Sequence, residues 1–331
     1  RIQNKNTGAA RRAEWVDHFA DKIYCRVKEE NTMDYKIISD GCCDLGKDVI
    51  EKYQLHVIPF YISFDDETYY KEIEEIGIRE VYKRMVDNPD VYPKTSLPSV
   101  QNYIDAFMPY VKENMPVICI CFTPSLSGSY NSACNARDIV CEEHPEAKIT
   151  VVNSEAATVS QGLMVIEAGR MRMDGVPYDT CVRILEEMKK TNRIFFTVGS
   201  VDYLKHGGRI GKLAGLATSA LSLKPLITLV NGDIEASGIG RSRKKTVLKT
   251  ISLMKGYFKD NGESMEDYSF AVGYGYDMEE GREFYDKVCQ DVRSAVNGKD
   301  VSCIQIGATI AVHTGPHAIG IGIIKQYEHY L

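Results

Sequence analysis

The chain has 331 residues, 44% hydrophobic and 26% charged, with a formal net charge of −6. That length exceeds the usual single-domain size and predicts two domains. The acidic balance argues against a nucleic-acid binder, whose footprint is a basic face, and no run approaches the roughly 18 apolar residues of a membrane span.

In residues 11–28, Trp15, Phe19, Ile23 and Val27 recur every four positions, one face of an amphipathic helix. Its interspersed Glu14, Asp17 and Asp21 disfavour an anionic lipid surface. The polar start "RIQNKNTGAARR" has no apolar h-region, so no secretory signal is expected. The ten cysteines include a vicinal pair and no C-x-x-C, which predicts reduced, mostly buried thiols in a cytoplasmic protein rather than disulfides or zinc.

From "YKIIS" onward, short apolar strands alternate with helices. "LHVIPFYISF" reads as extended, "IREVYKRMV" and "VQNYIDAFMPYVKEN" as helical, and "VICICF" as a strand covered on both faces. A helix over "SYNSACNARDIVCEEH", the strand "KITVVN" and the helix "QGLMVIEAGRMRM" continue the alternation, the pattern of an α/β domain with a largely parallel sheet. The second half runs helix "VRILEEMKKT", strand "IFFTVGS", then short helices broken at glycines around "YLKHGGRIGKLAG". "PLITLVNGDIEAS" is a hairpin around Asn-Gly. Helices "KTVLKTISLMKGYFK" and "EEGREFYDKVCQDVR" flank the strand "YSFAVGYG", and strands are expected at "SCIQIG" and "AVHTG". This second half is α+β with a mixed sheet. The predicted organisation is an N-terminal helical extension over 1–33, an α/β domain over 34–175 and an α+β domain over 176–331.

In four stretches an apolar strand or a loop delivers small hydroxyl or glycine residues to a helix start: "SDGCCDL" (39–45), "KTSLPS" (94–99), "TPSLSGSYNSA" (123–133) and "HTGP" (313–316). In the third, Ser125, Ser127 and Gly128 follow a parallel strand and precede a helix, where ligands tend to bind and free N–H groups suit an anion. The same serines also serve as helix caps. Asp40 and Asp44 read as acid–base residues or metal ligands, or, as is commoner at such positions, as helix caps or ties between loops. A P-loop, a G-x-S-x-G nucleophile elbow and a dinucleotide G-x-G-x-x-G all fail on the residues present.

In order and separation these stretches, with "GGRI", "VVNSEAATVSQG" and "KPLITLVNGDI", resemble the DegV family of bacterial fatty-acid-binding proteins from about Asp34 to the C-terminus. The resemblance implies a long-chain fatty acid held between two domains. Its carboxylate would be presented to a separate fatty acid kinase that makes the acyl phosphate, with no cofactor or metal and no catalysis by the carrier. Carried over, Thr95 and Ser127 hydrogen-bond the carboxylate, with His313 at the same end and Arg209 nearby. Ser96, Gly128 and Thr314 adjoin them, and Arg241 and Arg243 contribute to the kinase-docking face. The chain departs from the family pattern at Gly41-Cys42, Leu97, Asn153 and His317. The rival reading is a serine-dependent lipid hydrolase or acyltransferase, with Ser127 as nucleophile and His313 as base.

Overall fold

The computed structural model describes residues 35–211, 213, 224–293 and 301–331. The amphipathic pattern at residues 11–28 and part of the glycine-broken segment after Arg209 lie outside them.

Strand β1 (Lys36–Asp40) ends in a buried one-turn 3-10 segment at Gly41–Cys43, then helix α1 (Lys47–Lys52) leads to β2 (His56–Ile58). A small antiparallel sheet follows, built from β3 (Tyr61–Ser63), β4 (Tyr70–Lys71) and, after α2 (Ile78–Asp87), β5 (Lys94–Ser96), in the order β4-β3-β5. Helix α3 (Val100–Lys112) starts at a capping box: Ser99 Oγ accepts from Asn102 N while Asn102 Oδ1 accepts from Ser99 N. Then come β6 (Val117–Cys121), α4 (Ser129–Glu143), β7 (Ile149–Asn153), α5 (Thr158–Met173) and α6 (Tyr178–Met188). The sheet β2-β1-β6-β7 is parallel throughout. All five residues of β6 are buried, as its unbroken apolar run requires of a strand covered on both faces.

The second sheet has six strands in the order β10-β9-β8-β13-β11-β12. They are β8 (Arg193–Thr197), β9 (Lys224–Val230), β10 (Asp233–Gly240), β11 (Tyr268–Tyr274), β12 (Ser302–Gln305) and β13 (Ile319–Lys325). The sheet is mixed, since β12 alone pairs in parallel. The β9–β10 hairpin turns at Asn231 and Gly232, both at positive φ, as the Asn-Gly signal predicts. Helices α7 (Asp202–His206), α8 (Arg243–Asn261), α9 (Met278–Val292) and α10 (Ala308–Thr314) complete the unit.

Helix α5 binds the two sheets together. It packs on β1 and β6 on one side and on β11 and β13 on the other. One apolar cluster runs through it, from Ile37 and Val152 of the first sheet to Ala271 and Ile324 of the second. Helix α6 lies on β7 and on α5, so the chain leaves the first sheet for the second at Arg193.

One expected strand is a helix. "AVHTG" forms the end of α10, whose residues 308–312 are all buried, and the strand that follows is Ile319–Lys325. A short apolar run carries too few turns for its period to tell a buried helix from a buried strand.

Candidate functional site

The order β2-β1-β6-β7 reverses direction between β1 and β6, and a crevice forms outside the carboxyl ends of strands at such a switch point. The loop after β6 carries Phe122, Leu126 and Ser127 there, against the face of the second sheet and helix α10. Between them lies a cavity. Its walls are mostly apolar: Phe60, Phe122, Ile194, Phe196, Leu229 and Ile310 among others.

Thr95, Ser127, Arg209, His313 and Thr314 all line it as well. Thr95 comes from the small sheet, where it pairs with Ile62, and its Oγ1 lies 2.9 Å from His313 Nε2 in the last turn of α10. Burial, reinforced by the Arg209 charge, lowers the His313 pKa to about 4, so the ring is neutral at pH 7. Among the described residues the buried His313 Nδ1 has no hydrogen-bond partner. A buried N–H left unpaired costs more than an unpaired acceptor, which favours the tautomer with the proton on Nε2. In that tautomer Nε2–H donates to Thr95 Oγ1, and the threonine hydroxyl keeps its own proton for an anion.

The "GGRI" stretch makes room for this arrangement. A side chain at Gly207 would put its Cβ 2.2 Å from His313 Nδ1, and Gly208 sits at φ +69. Arg209 then turns to the cavity, with Nε donating to Leu126 O at 3.0 Å and Nη1 to Gly207 O at 2.6 Å. These bonds fix the guanidinium plane beside Ser127. The Ser127 hydroxyl oxygen accepts from Ser129 N at 3.2 Å, leaving its proton to donate. The Thr314 hydroxyl instead donates to Ile310 O.

Other anticipated residues sit elsewhere. Ser96 is exposed and Gly128 is the residue before α4; neither lines the cavity. His317 lines an outer cleft with Lys224, Arg243 and Glu280, and Thr314 lines both that cleft and the cavity. Arg243 makes a two-pronged ion pair with Glu280 at 2.8 and 2.7 Å, and Arg241 is exposed beside it. Among the described residues no hydrogen bond joins Ser127 to His313, and no His/Cys/Asp/Glu cluster has metal-binding geometry.

Asp40 ties the switch point together. Its carboxylate accepts from Phe122 N at 2.9 Å, Ser129 Oγ at 2.8 Å and Gln161 Nε2 at 2.9 Å, so it links β1 to the loop after β6, to α4 and to α5. Glu72, which nothing in its charged surroundings "KEIEEI" singled out, is equally buried. It accepts from Phe60 N and from both Thr309 N and Oγ1, fastening the small sheet to α10. A side chain at Gly41 would place Cβ 2.1 Å from Glu72 Oε1, which accounts for the glycine in that motif. Burial raises the pKa of both acids, and raises Asp44 to about 8. The apolar lining residues were missed for another reason: in sequence they are indistinguishable from core.

A parallel sheet and a mixed sheet sharing one helix, with a mainly apolar cavity that also carries polar groups, define an α/β protein with an interior small-molecule site. The chain belongs to the DegV family, whose sequence model, that of an uncharacterised protein family, matches residues 34–326. It is 45% identical to a stearic-acid-binding protein from Eubacterium ventriosum, over 89% of this chain and 99% of that one, with a TM-score of 0.84. A fatty-acid-binding DegV family protein from Thermus thermophilus is 26% identical over 88% of this chain and all of its own length (100%), with a TM-score of 0.77. A DegV domain-containing protein from Clostridium perfringens is 28% identical over 85% of this chain and 94% of its own. No helix among the described residues is long and apolar enough to cross a membrane.

Proposed function

We propose that the cavity holds one long-chain fatty acid, its tail along the apolar walls and its carboxylate at Thr95, Ser127, Arg209 and His313. The observation that carries this reading is the distribution of polarity. A cavity walled mainly by apolar side chains, with Thr158 and Thr309 also on its wall, brings together one fixed cation, Arg209, held on the residue before Ser127, and the Thr95 hydroxyl, held on His313. Burying about fifteen methylenes at roughly 0.8 kcal/mol each gives on the order of 12 kcal/mol gross, before ordering costs. A carboxylate cannot follow the tail inside without donors and a counter-charge. The Arg209 guanidinium and the Thr95 and Ser127 hydroxyls meet that need, and the relatives that bind stearic and other fatty acids support the ligand class.

The same reading makes the chain a carrier, with the chemistry done by a partner kinase. Thr314 lines both the cavity and the outer cleft where Lys224 and Arg243 lie, which supports that cleft as the seat of the kinase. A partner that consumes ATP places the complex in the cytoplasm. Nothing in the described geometry favours the hydrolase: His313 Nε2 faces Thr95, and among the described residues no carboxylate orients its other nitrogen.

Native mass spectrometry of protein purified from a bacterial host, followed by solvent extraction, is expected to show one fatty acid per chain. Protein that emerges empty and takes up neither palmitate nor oleate would refute the ligand. Loaded protein that yields no acyl phosphate with any bacterial fatty acid kinase and ATP would refute the partner alone.

A further inference from the structure

The cavity floor on the second sheet contains two positions without side chains. Gly320 of β13 and Gly273 of β11 are a cross-strand pair, and Phe196 of β8 continues the same row on the other side of Gly320. All three line the cavity. Neither glycine has its φ in the left-handed region, so the backbone does not demand glycine at either place. The demand is for space.

The two glycines differ in what a side chain would meet. At Gly320 a Cβ would stand 2.4 Å from Phe196 Cβ and 2.7 Å from Phe195 O, so that glycine is needed for β13 to lie beside β8. At Gly273 the atoms nearest to a Cβ would be Val159 Cγ1 at 3.1 Å and Ile306 Cγ1 and Cδ1 at 3.2 and 3.5 Å, all side-chain atoms of cavity-lining residues. A larger residue there must push those two side chains aside, into the cavity they line. Ile306 lies seven positions before His313 along α10 and its lead-in, roughly 10 Å at about 1.5 Å per residue. Gly273 is therefore beside the tail and far from the carboxylate donors.

We infer that Gly273 sets the length of acyl tail this chain accepts: with no side chain of its own it lets Val159 and Ile306 close down on the strand, and so leaves the room beyond them to the distal methylenes. The inference rests on the fatty-acid reading of the same cavity.

The test is the binding profile of saturated acids from twelve to twenty carbons, measured by displacement of a fluorescent fatty acid from delipidated protein. Wild type, Gly273→Val and Ile306→Ala are compared, with Gly256→Ala, an open position on α8, as control. Gly273→Val is expected to weaken the longest acid that wild type holds by tenfold or more, while twelve- and fourteen-carbon acids change less than threefold. Ile306→Ala is expected to shift the optimum the other way, toward longer chains, which keeps the idea open to refutation if the valine variant fails to fold. An unchanged profile, or equal loss at every length in both variants, overturns it. Failure of wild type to bind any acid of the series would instead overturn the fatty-acid reading.

Discussion

Ser127 is buried, with its hydroxyl oxygen already occupied as an acceptor from Ser129 N and only its proton left to give. A single donor to a charged group is worth roughly 1.5–3 kcal/mol. Ser127→Ala is therefore expected to weaken palmitate binding by about tenfold to a hundredfold. The methyl ester of palmitate, which has no charge at that end, should lose less than threefold. Displacement titrations with both ligands decide the matter, and equal losses would place Ser127 outside the head-group contacts. The same distinction explains what the sequence could reveal at this scale. Thr95, Ser127, Arg209 and His313 stand in glycine- and hydroxyl-rich stretches that a core does not need, and they line one cavity. Leu126 and Ile310 line it too, but an apolar side chain facing a lipid has the same neighbours and the same burial as one facing another leucine.

Among the elements, the small sheet and α10 depend on one carboxylate. Glu72 is 1% exposed and accepts from two backbone N–H groups and a hydroxyl, with its Thr309 donors 237 positions away from it in the chain. Glu72→Ala leaves those donors buried and unpaired, at about 1–3 kcal/mol for each backbone group. Urea unfolding is expected to show a loss of roughly 2–5 kcal/mol, with Glu72→Gln losing clearly less because its carbonyl oxygen still accepts. A loss below about 0.5 kcal/mol, the range of ordinary surface changes, would show that α10 is held by packing alone. Strands such as β6 and the Asn-Gly hairpin were legible because run length and turn chemistry are local. Helix α10 was not: seven residues, five of them buried, carry no readable period, and its position is fixed by Glu72, a residue from a remote charged stretch. The two-sheet architecture followed from the alternation of elements. The sharing of α5 by both sheets did not, because an all-round buried helix has no polar face to mark its orientation.

At the level of the whole molecule, two buried groups pull stability in opposite directions with pH. His313 titrates at about 4 in the folded protein against an ordinary 6.5, lowered by burial and then by Arg209. Between those values the unfolded chain binds the proton more readily, so stability is full above pH 6.5 and is lost as pH falls through 4. Asp44 is held at about 8 against an ordinary 3.8, raised chiefly by burial. Its contribution is full below pH 3.8 and is lost as pH rises through 8, because the native state retains a proton that the unfolded chain gives up. Asp44→Asn keeps a neutral acceptor and suits the left-handed backbone at φ 51. Its advantage over wild type is expected to grow as pH rises from 4 to 8, and to be larger at pH 9 than at pH 5 by at least about 1 kcal/mol. His313→Asn should flatten the acid side between pH 7 and 4.5 instead. Thermal unfolding across pH separates the two, and an effect of either variant that is constant with pH would show that its group does not titrate in that window. The ligand enters the same balance. A fatty-acid carboxylate beside Arg209 offsets the charge that opposes protonation of His313, raising its pKa toward the ordinary value. Palmitate-loaded protein is thus expected to lose less stability than stripped protein between pH 7 and 4.5, beyond the uniform gain that any bound ligand confers. If both forms lose stability in parallel, the carboxylate does not lie at the His313 end of the cavity.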